Sequence, residues 1–356
     1  MLLVRSGDGA LYGPDMKVLQ FSAQRFYDEV VVGNCCFVCG RKPSRDVPFN
    51  DEHVIPNWIL KRYKMHNQTI GLPNGSSSMY GRYKVPCCVE CNSELSAKVE
   101  MPISKLLTGG IRSFAERMTP ELRCLLFSWC SLIFLKTHLK DLRIKWNPDP
   151  RQNEEFSIGT AYDWQSLHHI QCMARAPAVG AKYGYGSIGT LLVREAWAPK
   201  RGRYDYVDFS FQYASMLQID DLAIFCVMND SCMCEQVLES DFNRLGRLSP
   251  LQTRELIAVL AQTNKSIKQR PAFRTDVDFD GSRTIVAQVP EKFDVPARDN
   301  GELGHTLALL VDDMPLEPGL LDEVRKGEGS FVYREDGTFI EHDFFADPDE
   351  QAPPVT

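Results

Sequence analysis

The sequence predicts an α+β fold, and three groups of residues carry this prediction. An apolar helical segment begins at Thr119 and Pro120, which suit an N-cap and a first helical position, and it runs to about Lys140. Ser249 and Gln252 have the spacing of a capping box at the start of a second helix. Apolar and aromatic runs bounded by glycine, proline and aspartate are typical of strands. These runs lie at 189–198, 204–214 and 221–228.

The remaining elements follow from local patterns. Residues 1–30 predict a short N-terminal segment of strand and helix. Residues 80–85 predict an extended run, and the segment "NSELSAKVEMPISKLL" predicts a helix that is interrupted near Pro102, since proline has no backbone N–H. Asp336 and Gly337 suit the tight turn of a hairpin. We therefore predict an N-terminal extension, a cysteine-containing module, a helical and α+β recognition or assembly domain, and an acidic C-terminal segment, at 1–30, 31–110, 111–275 and 276–356.

The composition is that of an ordinary globular protein. The chain has 356 residues, of which 44% are hydrophobic and 24% are charged. The apolar stretch "CLLFSWCSLIFL" at 124–135 is too short to span a bilayer and predicts a buried helix. The N-terminus lacks the pattern of a secretory signal, so we expect a cytoplasmic protein that does not associate with membranes.

The charge is distributed unevenly along the chain. The net charge is −7, but residues 276–356 contain 20 acidic and 6 basic residues and carry −14. Residues 1–275 therefore carry +7. A mildly basic body predicts a weak, salt-sensitive affinity for nucleic acid. For the acidic segment, a role in solubility is favoured over mimicry of DNA.

The cysteines form two C-x-x-C units that predict a metal site. Of the 12 cysteines, Cys36 and Cys39 form the first unit, and Cys88 and Cys91 form the second. Four thiolates make a closed tetrahedral zinc site, which is structural and not catalytic. Gly40 suits the positive φ of the turn that follows the first unit. Adjacent Cys35 and Cys87 are alternative ligands. A second metal site at Cys226, Cys232 and Cys234 is not favoured, because no clear fourth ligand lies nearby in the sequence.

The motifs "CFVCG", "DEHVIPNWI" and "VPCCVECNSELSAKVE" together resemble the HNH nuclease family, in its zinc-stapled, four-cysteine branch of the ββα-metal endonucleases. The likeness covers residues 34–101. It implies an N-terminal ββα-metal module with a structural zinc, followed by a helical and mixed α+β C-terminal region. The family's middle asparagine is not evident, because the matching place lies near Tyr83 and Asn74 is distant.

The resemblance also implies roles for three residues. His53 matches the general base, and Glu52 matches the acidic ligand of a catalytic Mg²⁺ or Mn²⁺. Asn92 matches the second protein ligand on the helix. The chemistry agrees, since a neutral imidazole suits proton abstraction near pH 7 and carboxylate and amide oxygens suit a hard cation. The expected partner is DNA, in double-stranded form.

Each of these residues also has a structural interpretation. Asp51 is better explained as a turn or strand-start residue than as a ligand. Glu52 could pair with Arg45 or Lys61 at the surface, and His53 could be an ordinary strand residue. Asn92 could be the N-cap of the following helix. Other residues have open roles in packing, DNA contact or solvation: Trp58, Lys61, Arg62, Lys64 and Glu100. The remaining histidines are expected to be structural or exposed: His66, His168 and His169.

Two functions from different classes follow from these patterns. The first is a metal-dependent DNA endonuclease, of the kind that serves in antiviral defence or in mobile elements. The alternative is a catalytically inactive, zinc-stapled module that binds nucleic acid or supports assembly. Residues 150–275 carry no recognisable catalytic motif, and we expect residues 150–356 to mediate self-association or binding of a regulatory protein.

Overall fold

The computed structural model describes residues 3–13, 15–149, 151, 156–197, 204–312, 314, 316 and 319–341. These residues form a mixture of helices and several small sheets. The predicted α+β class is therefore confirmed. The acidic segment 342–356, which contributes part of the predicted charge asymmetry, lies outside the described residues.

The helices and strands are numbered in chain order. The helices are α1 (Ala23–Arg25), α2 (Asn57–Arg62), α3 (Val89–Leu95), α4 (Met101–Leu106), α5 (Gly110–Arg117), α6 (Pro120–Asp141), α7 (Trp164–Val179), α8 (Met233–Val237), α9 (Glu239–Phe242), α10 (Pro250–Ser266), α11 (Asn300–Val311) and α12 (Leu320–Lys326). The strands are β1 (Val4–Arg5), β2 (Leu11–Tyr12), β3 (Val18–Gln20), β4 (Glu52–His53), β5 (Thr69–Gly71), β6 (Ser77–Met79), β7 (Lys84–Val85), β8 (Lys182–Tyr183), β9 (Leu191–Glu195), β10 (Tyr204–Phe209), β11 (Ala214–Ile219), β12 (Leu222–Val227), β13 (Ala272–Val277) and β14 (Arg283–Gln288).

The chain divides into two compact units that interleave along the sequence. The first unit consists of Met1–Thr108, Glu116–Ile188 and Pro271–Gln288. The second unit consists of Gly109–Ala115, Gly189–Arg270 and Val289–Thr356. Each unit is thus assembled from segments that are distant in sequence. The four domains proposed from the sequence remain predictions about which parts fold or act separately.

Helix α6 forms the core of the first unit. The Thr119 hydroxyl accepts a hydrogen bond from the Leu122 amide, so the predicted N-cap is confirmed. Trp129 and Phe134 are fully buried, and α6 packs against α7. By length and apolar composition, α6 is the one helix of the described residues that could cross a membrane, but 78% of its most apolar window is buried within the protein. Its burial is that of a core helix.

Strands β4 and β7 form a two-stranded antiparallel pair ahead of α3. Glu52 is paired with Val85, and His53 is paired with Lys84. The predicted extended run at 80–85 is shorter than expected, because Tyr80–Arg82 forms a 3₁₀ turn before β7. The short pair is extended by a hydrogen bond of 2.9 Å from the amide of Val54 to the carbonyl of Tyr83.

The helix after the second cysteine pair is continuous through its proline. A π-helical turn, Ser96–Glu100, joins α3 to α4, and Pro102 lies in the first turn of α4. Proline removes one N–H and crowds the carbonyl one turn earlier, and the wider π turn accommodates both effects. The interruption predicted near Pro102 is therefore a local change of helix type and not a break.

The second unit is built on the antiparallel sheet β10-β11-β12-β9 and on helix α10. Strand β11 is buried along its whole length. The capping box at the start of α10 is present, since Ser249 and Gln252 each bond the other's backbone amide. The turn at Asp336 and Gly337 also forms, with the Gly337 amide bonded to the Arg334 carbonyl at 2.9 Å.

Candidate metal centre and neighbouring acid–histidine cluster

Four buried cysteines converge in the first unit. The Sγ atoms of Cys36, Cys39, Cys88 and Cys91 all lie within 4.8 Å of one another. Cys88 is the N-cap residue of α3, and Cys91 lies in its first turn. The two predicted C-x-x-C units thus meet in one cluster that could hold a structural metal such as zinc.

The turn of the first pair is fixed by Gly40. Gly40 has a φ of +72° and donates its amide to the Cys36 carbonyl at 2.9 Å. A Cβ atom at this position would approach a Val18 methyl carbon to 2.8 Å. Both the left-handed conformation and the close packing therefore require glycine, as the sequence predicted.

The neighbouring cysteines lie outside the cluster. Cys87 is buried with its Sγ 3.9 Å from that of Cys36, but it does not belong to the group of four. Cys35 is also buried and separate from the group. The preference for Cys36 and Cys88 over their neighbours is therefore confirmed as a matter of geometry.

The electrostatics of the cluster favour a bound cation. Hydrogen bonding with Cys36 is the main cause that lowers the pKa of Cys39. Hydrogen bonding with Cys36 is also the main cause that raises the pKa of Cys91, and the hydrogen bonds with Cys39 and Cys88 and burial act in the same direction. Arg41 donates its Nε to Cys39 at 3.3 Å. A divalent metal would supply the charge that lets all four thiolates exist together.

A second cysteine site is not formed. Cys226, Cys232 and Cys234 are all buried in the second unit. Among the residues with described positions, only the cluster in the first unit brings together three or more metal-binding groups of cysteine, histidine or acid. The three cysteines are core residues in this structure.

Glu52 points into the first unit and is held by a buried lysine. Its Oε1 atom lies 2.8 Å from Nζ of Lys136, a residue of α6 whose side chain is fully buried. Lys136 also donates to the backbone carbonyl of His53 at 2.7 Å. The sequence suggested Arg45 or Lys61 as surface partners of Glu52, and the observed partner is instead in the core.

Glu100 completes this polar group. One of its carboxylate oxygens lies 3.9 Å from Lys136 Nζ. Burial raises the pKa of Glu100 to about 7, and the negative charge of Glu52 adds to this effect, while the Lys136 ammonium opposes it. Two carboxylates therefore share one ammonium directly behind strand β4.

His53 follows Glu52 on β4 and is half-buried. Burial lowers its pKa to about 4, and the positive charge of Lys84 on the paired strand acts in the same direction. The imidazole is therefore neutral at pH 7, the form that can accept a proton. The ring of His66 lies edge-on with a centroid distance of 6.0 Å, and His66 itself bonds Asn57 at 2.9 Å.

Asn92 ties α3 to the segment that enters β4. Its side-chain Nδ2 donates to Asn50 Oδ1 at 2.9 Å and to the Asp51 carbonyl at 3.3 Å. Asn92 is not the N-cap of its helix, because α3 begins at Val89 with Cys88 as the cap. The structural interpretation of Asn92 as an N-cap is therefore wrong, and the contact with Asp51 takes its place.

Asp51 itself is exposed and has a φ of +48°. Aspartate tolerates this left-handed conformation better than most residues, and its place before β4 agrees with the predicted role as a turn or strand-start residue. Asp51 directly precedes β4, and the first residue of that strand, Glu52, is buried.

The surrounding candidate residues divide into packed and exposed groups. Trp58 stacks on Trp129 with ring centroids 6.3 Å apart, so it braces α2 against α6. The basic residues on and after α2 are exposed: Lys61, Arg62 and Lys64.

The two histidines of α7 have partners within the protein. His168 bonds the Phe21 carbonyl at 2.9 Å, and the ring of His169 stacks on that of Phe273 with centroids 3.5 Å apart. Both of these histidines are structural, as predicted.

Sequence reasoning missed Lys136. Lys136 stands in the apolar segment "IFLKTH", where a lone charged residue is the only local signal of a buried partner. Tyr83 is buried and donates its hydroxyl to Asp141 at 3.2 Å. Asn74 bonds the Lys145 carbonyl at 2.9 Å.

No protein family matches the chain, and no significant similarity to curated proteins or to solved structures was found.

Proposed function

We propose that residues 31–110 form an HNH-type, ββα-metal module that acts as a metal-dependent DNA endonuclease. The observation that supports it best is the contact of Asn92 with Asp51, which joins the helix of the cysteine cluster to the acid–histidine strand. In this proposal β4 and β7 are the two strands, and α3 is the helix. The four cysteines hold a structural zinc that fixes these elements together.

His53 is the proposed general base. Its neutral imidazole can take a proton from the water that attacks the phosphodiester. The contact from Lys136 to the His53 carbonyl holds the strand at this residue. Restricting the backbone in this way keeps the imidazole in one place relative to the substrate.

Glu52 and Asn92 are the proposed ligands of a catalytic Mg²⁺ or Mn²⁺. One carboxylate and one amide oxygen suit a hard cation that retains most of its water. Asn92 uses its NH₂ group for Asn50 and Asp51, which leaves the amide oxygen for such a role. When bound, the cation would stabilise negative charge on the phosphate and on the departing oxygen.

The exposed residues Lys61, Arg62 and Lys64 are proposed to contact the DNA backbone. They follow β4 closely in the chain, and their side chains reach solvent. Contacts with phosphates position a duplex without reading its sequence. The mild positive charge of residues 1–275 predicts weak binding by the isolated protein, so a second copy or a regulatory protein, bound through residues 150–356, is proposed to strengthen it.

The catalytically inactive, nucleic-acid-binding or assembly module is the second candidate. The ion pair between Glu52 and Lys136 favours it, because the carboxylate charge is already compensated without a divalent ion. Zinc in this candidate serves only to hold the fold.

Incubation of the purified protein with supercoiled plasmid separates the two candidates. The assay is run with Mg²⁺, with Mn²⁺ and with neither, and binding to the same DNA is measured in parallel. The nuclease predicts nicked or linear product only when a divalent ion is present. DNA binding without product under any of these conditions would refute the nuclease and support the binding module.

A further inference from the structure

Lys136 is a buried cation in contact with the proposed metal ligand. Its ammonium is fully buried and lies 2.8 Å from Glu52 Oε1 and 3.9 Å from Glu100 Oε1. A third contact, of 2.7 Å, is made to the His53 carbonyl. The Glu52 and His53 oxygens are within hydrogen-bond distance of the ammonium, and the Glu100 oxygen lies farther away.

The three contacts resemble the donor set of a hard divalent ion. Such ions bind carboxylate and carbonyl oxygens, which are the groups that surround the Lys136 nitrogen. An ammonium and a metal ion cannot both occupy the same side of Glu52 without strong repulsion.

We infer that Lys136 is an internal competitor for the divalent ion at Glu52 and sets how weakly the site binds metal. This inference rests on the proposed function for the identity of the site, and it adds a regulatory residue to it. Lys136 positions Glu52 through the ion pair, and it has no direct role toward the substrate. Metal binding in the native protein therefore requires that the ion pair between Glu52 and Lys136 be loosened.

The test is the binding of Mn²⁺ to Lys136→Met, measured from the electron paramagnetic resonance signal of the free ion. No chelator is used, because a chelator would remove zinc from the cysteine cluster, and zinc content is checked in every sample. We expect the Kd for Mn²⁺ to fall by about tenfold or more relative to the wild type. The double variant Glu52→Gln, Lys136→Met should lose this gain.

Thermal unfolding gives a second readout that does not depend on activity. Without Mn²⁺, Lys136→Met should melt below the wild type, because two buried carboxylates lose their partner. Added Mn²⁺ should raise its Tm by about 3 °C or more, and the wild type should respond less. A variant that folds only with Mn²⁺ present supports the inference, and one that remains unfolded with Mn²⁺ contradicts it.

Lys140→Met is the matched control. Lys140 lies one turn along α6, is half-buried, and its replacement removes the same charge while leaving the Lys136 contacts in place. Equal gains of Mn²⁺ affinity in the two variants would mean that the change of net charge alone explains the effect. That result would overturn the inference. An unchanged Mn²⁺ affinity in Lys136→Met would overturn it as well.

The outcome is separable from that of the proposed nuclease. If Lys136→Met binds Mn²⁺ more tightly but no form of the protein cleaves plasmid, the nuclease is refuted. The inference that Lys136 competes with the divalent ion would still stand. If the wild type cleaves plasmid but Lys136→Met gains no Mn²⁺ affinity, the nuclease is supported. The inference that Lys136 competes with the divalent ion would be overturned.

Discussion

The side-chain amide of Asn92 lies 3.3 Å from the backbone carbonyl oxygen of Asp51. Asn92 directly follows Cys91 of the cysteine cluster, and Asp51 directly precedes Glu52. The contact is one of two hydrogen bonds from Asn92 that link the helix of the cysteine cluster to the segment directly before the acid–histidine strand. Stability of the cluster and placement of Glu52 and His53 should consequently be coupled.

Zinc content is the first prediction. Elemental analysis should find about one tightly bound zinc per chain, because four thiolates close a tetrahedral site. Cys36→Ser and Cys91→Ser should lose this zinc and destabilise the module, since metal binding and folding are coupled. Cys35→Ser is the control, because Cys35 is buried beside the cluster but is not part of it. A protein that folds with full stability in the absence of metal would contradict the prediction.

The contact of Asn92 gives the second prediction. Asn92→Ala removes both hydrogen bonds to the segment at 50–51, and each such bond contributes about 1 kcal/mol. We expect a free energy of unfolding lower by about 1–2 kcal/mol and a weaker response of cleavage to Mg²⁺. Zinc content should remain at one per chain. Ser93→Ala, at the exposed neighbouring position, should change the Mg²⁺ response little.

The pH dependence of stability is the third prediction. His138 is fully buried in α6, and burial lowers its pKa to about 4 from 6.5. The unfolded chain therefore binds the proton more readily, so the stability contributed by neutral His138 is present above pH 6.5 and is lost as the pH falls toward 4. The free energy of unfolding should fall by about 3 kcal/mol at most through this residue. In His138→Gln the free energy of unfolding should depend less on pH between 6.5 and 4. Chemical unfolding at several pH values measures this dependence.

The C-terminal segment gives the fourth prediction. Residues 307, 308 and 311 of α11 pack against Leu251 and Ala258 of α10 in one buried cluster. Strand β14 also pairs with β13 and β8. A chain that ends at Arg274 should therefore lose cooperative unfolding, because it exposes two apolar surfaces. Truncation after Glu341 leaves these contacts in place.

The two truncations also separate packing from charge. The shorter truncation removes only residues 342–356, which include four acidic and no basic side chains. If their charge opposes DNA binding, its removal should strengthen binding most at low salt, where repulsion is least screened. If the truncated and full-length proteins bind DNA with equal affinity at every salt concentration, these residues serve solubility instead. An unchanged unfolding midpoint after truncation at Arg274 would contradict the packing argument.

The sequence predicted the features that depend on local spacing. The C-x-x-C units converged as expected, because two residues between cysteines place both thiols on one side of a turn. Thr119 and Ser249 were recognised as caps for the same reason, since a cap needs only its own first turn.

Long-range partners were not predictable. Lys136 pairs with Glu52 across 84 positions, and no local pattern identifies which carboxylate a buried lysine will meet. The interleaving of the two units has the same cause, because strand β14 joins β8 from about a hundred positions away. The contact of Asn92 with Asp51 likewise depends on the cysteine cluster having already brought α3 to β4.

The rate of plasmid cleavage by His53→Ala tests the central claim most directly. The account predicts a loss of about 10²-fold or more with Mg²⁺ or Mn²⁺, while zinc content, folding and DNA binding remain near those of the wild type, because the base acts only in the reaction. His66→Ala, whose ring lies 6.0 Å from that of His53, is the matched control and should lose much less. Cleavage by His53→Ala at the wild-type rate would contradict the account and place the active site elsewhere in the chain.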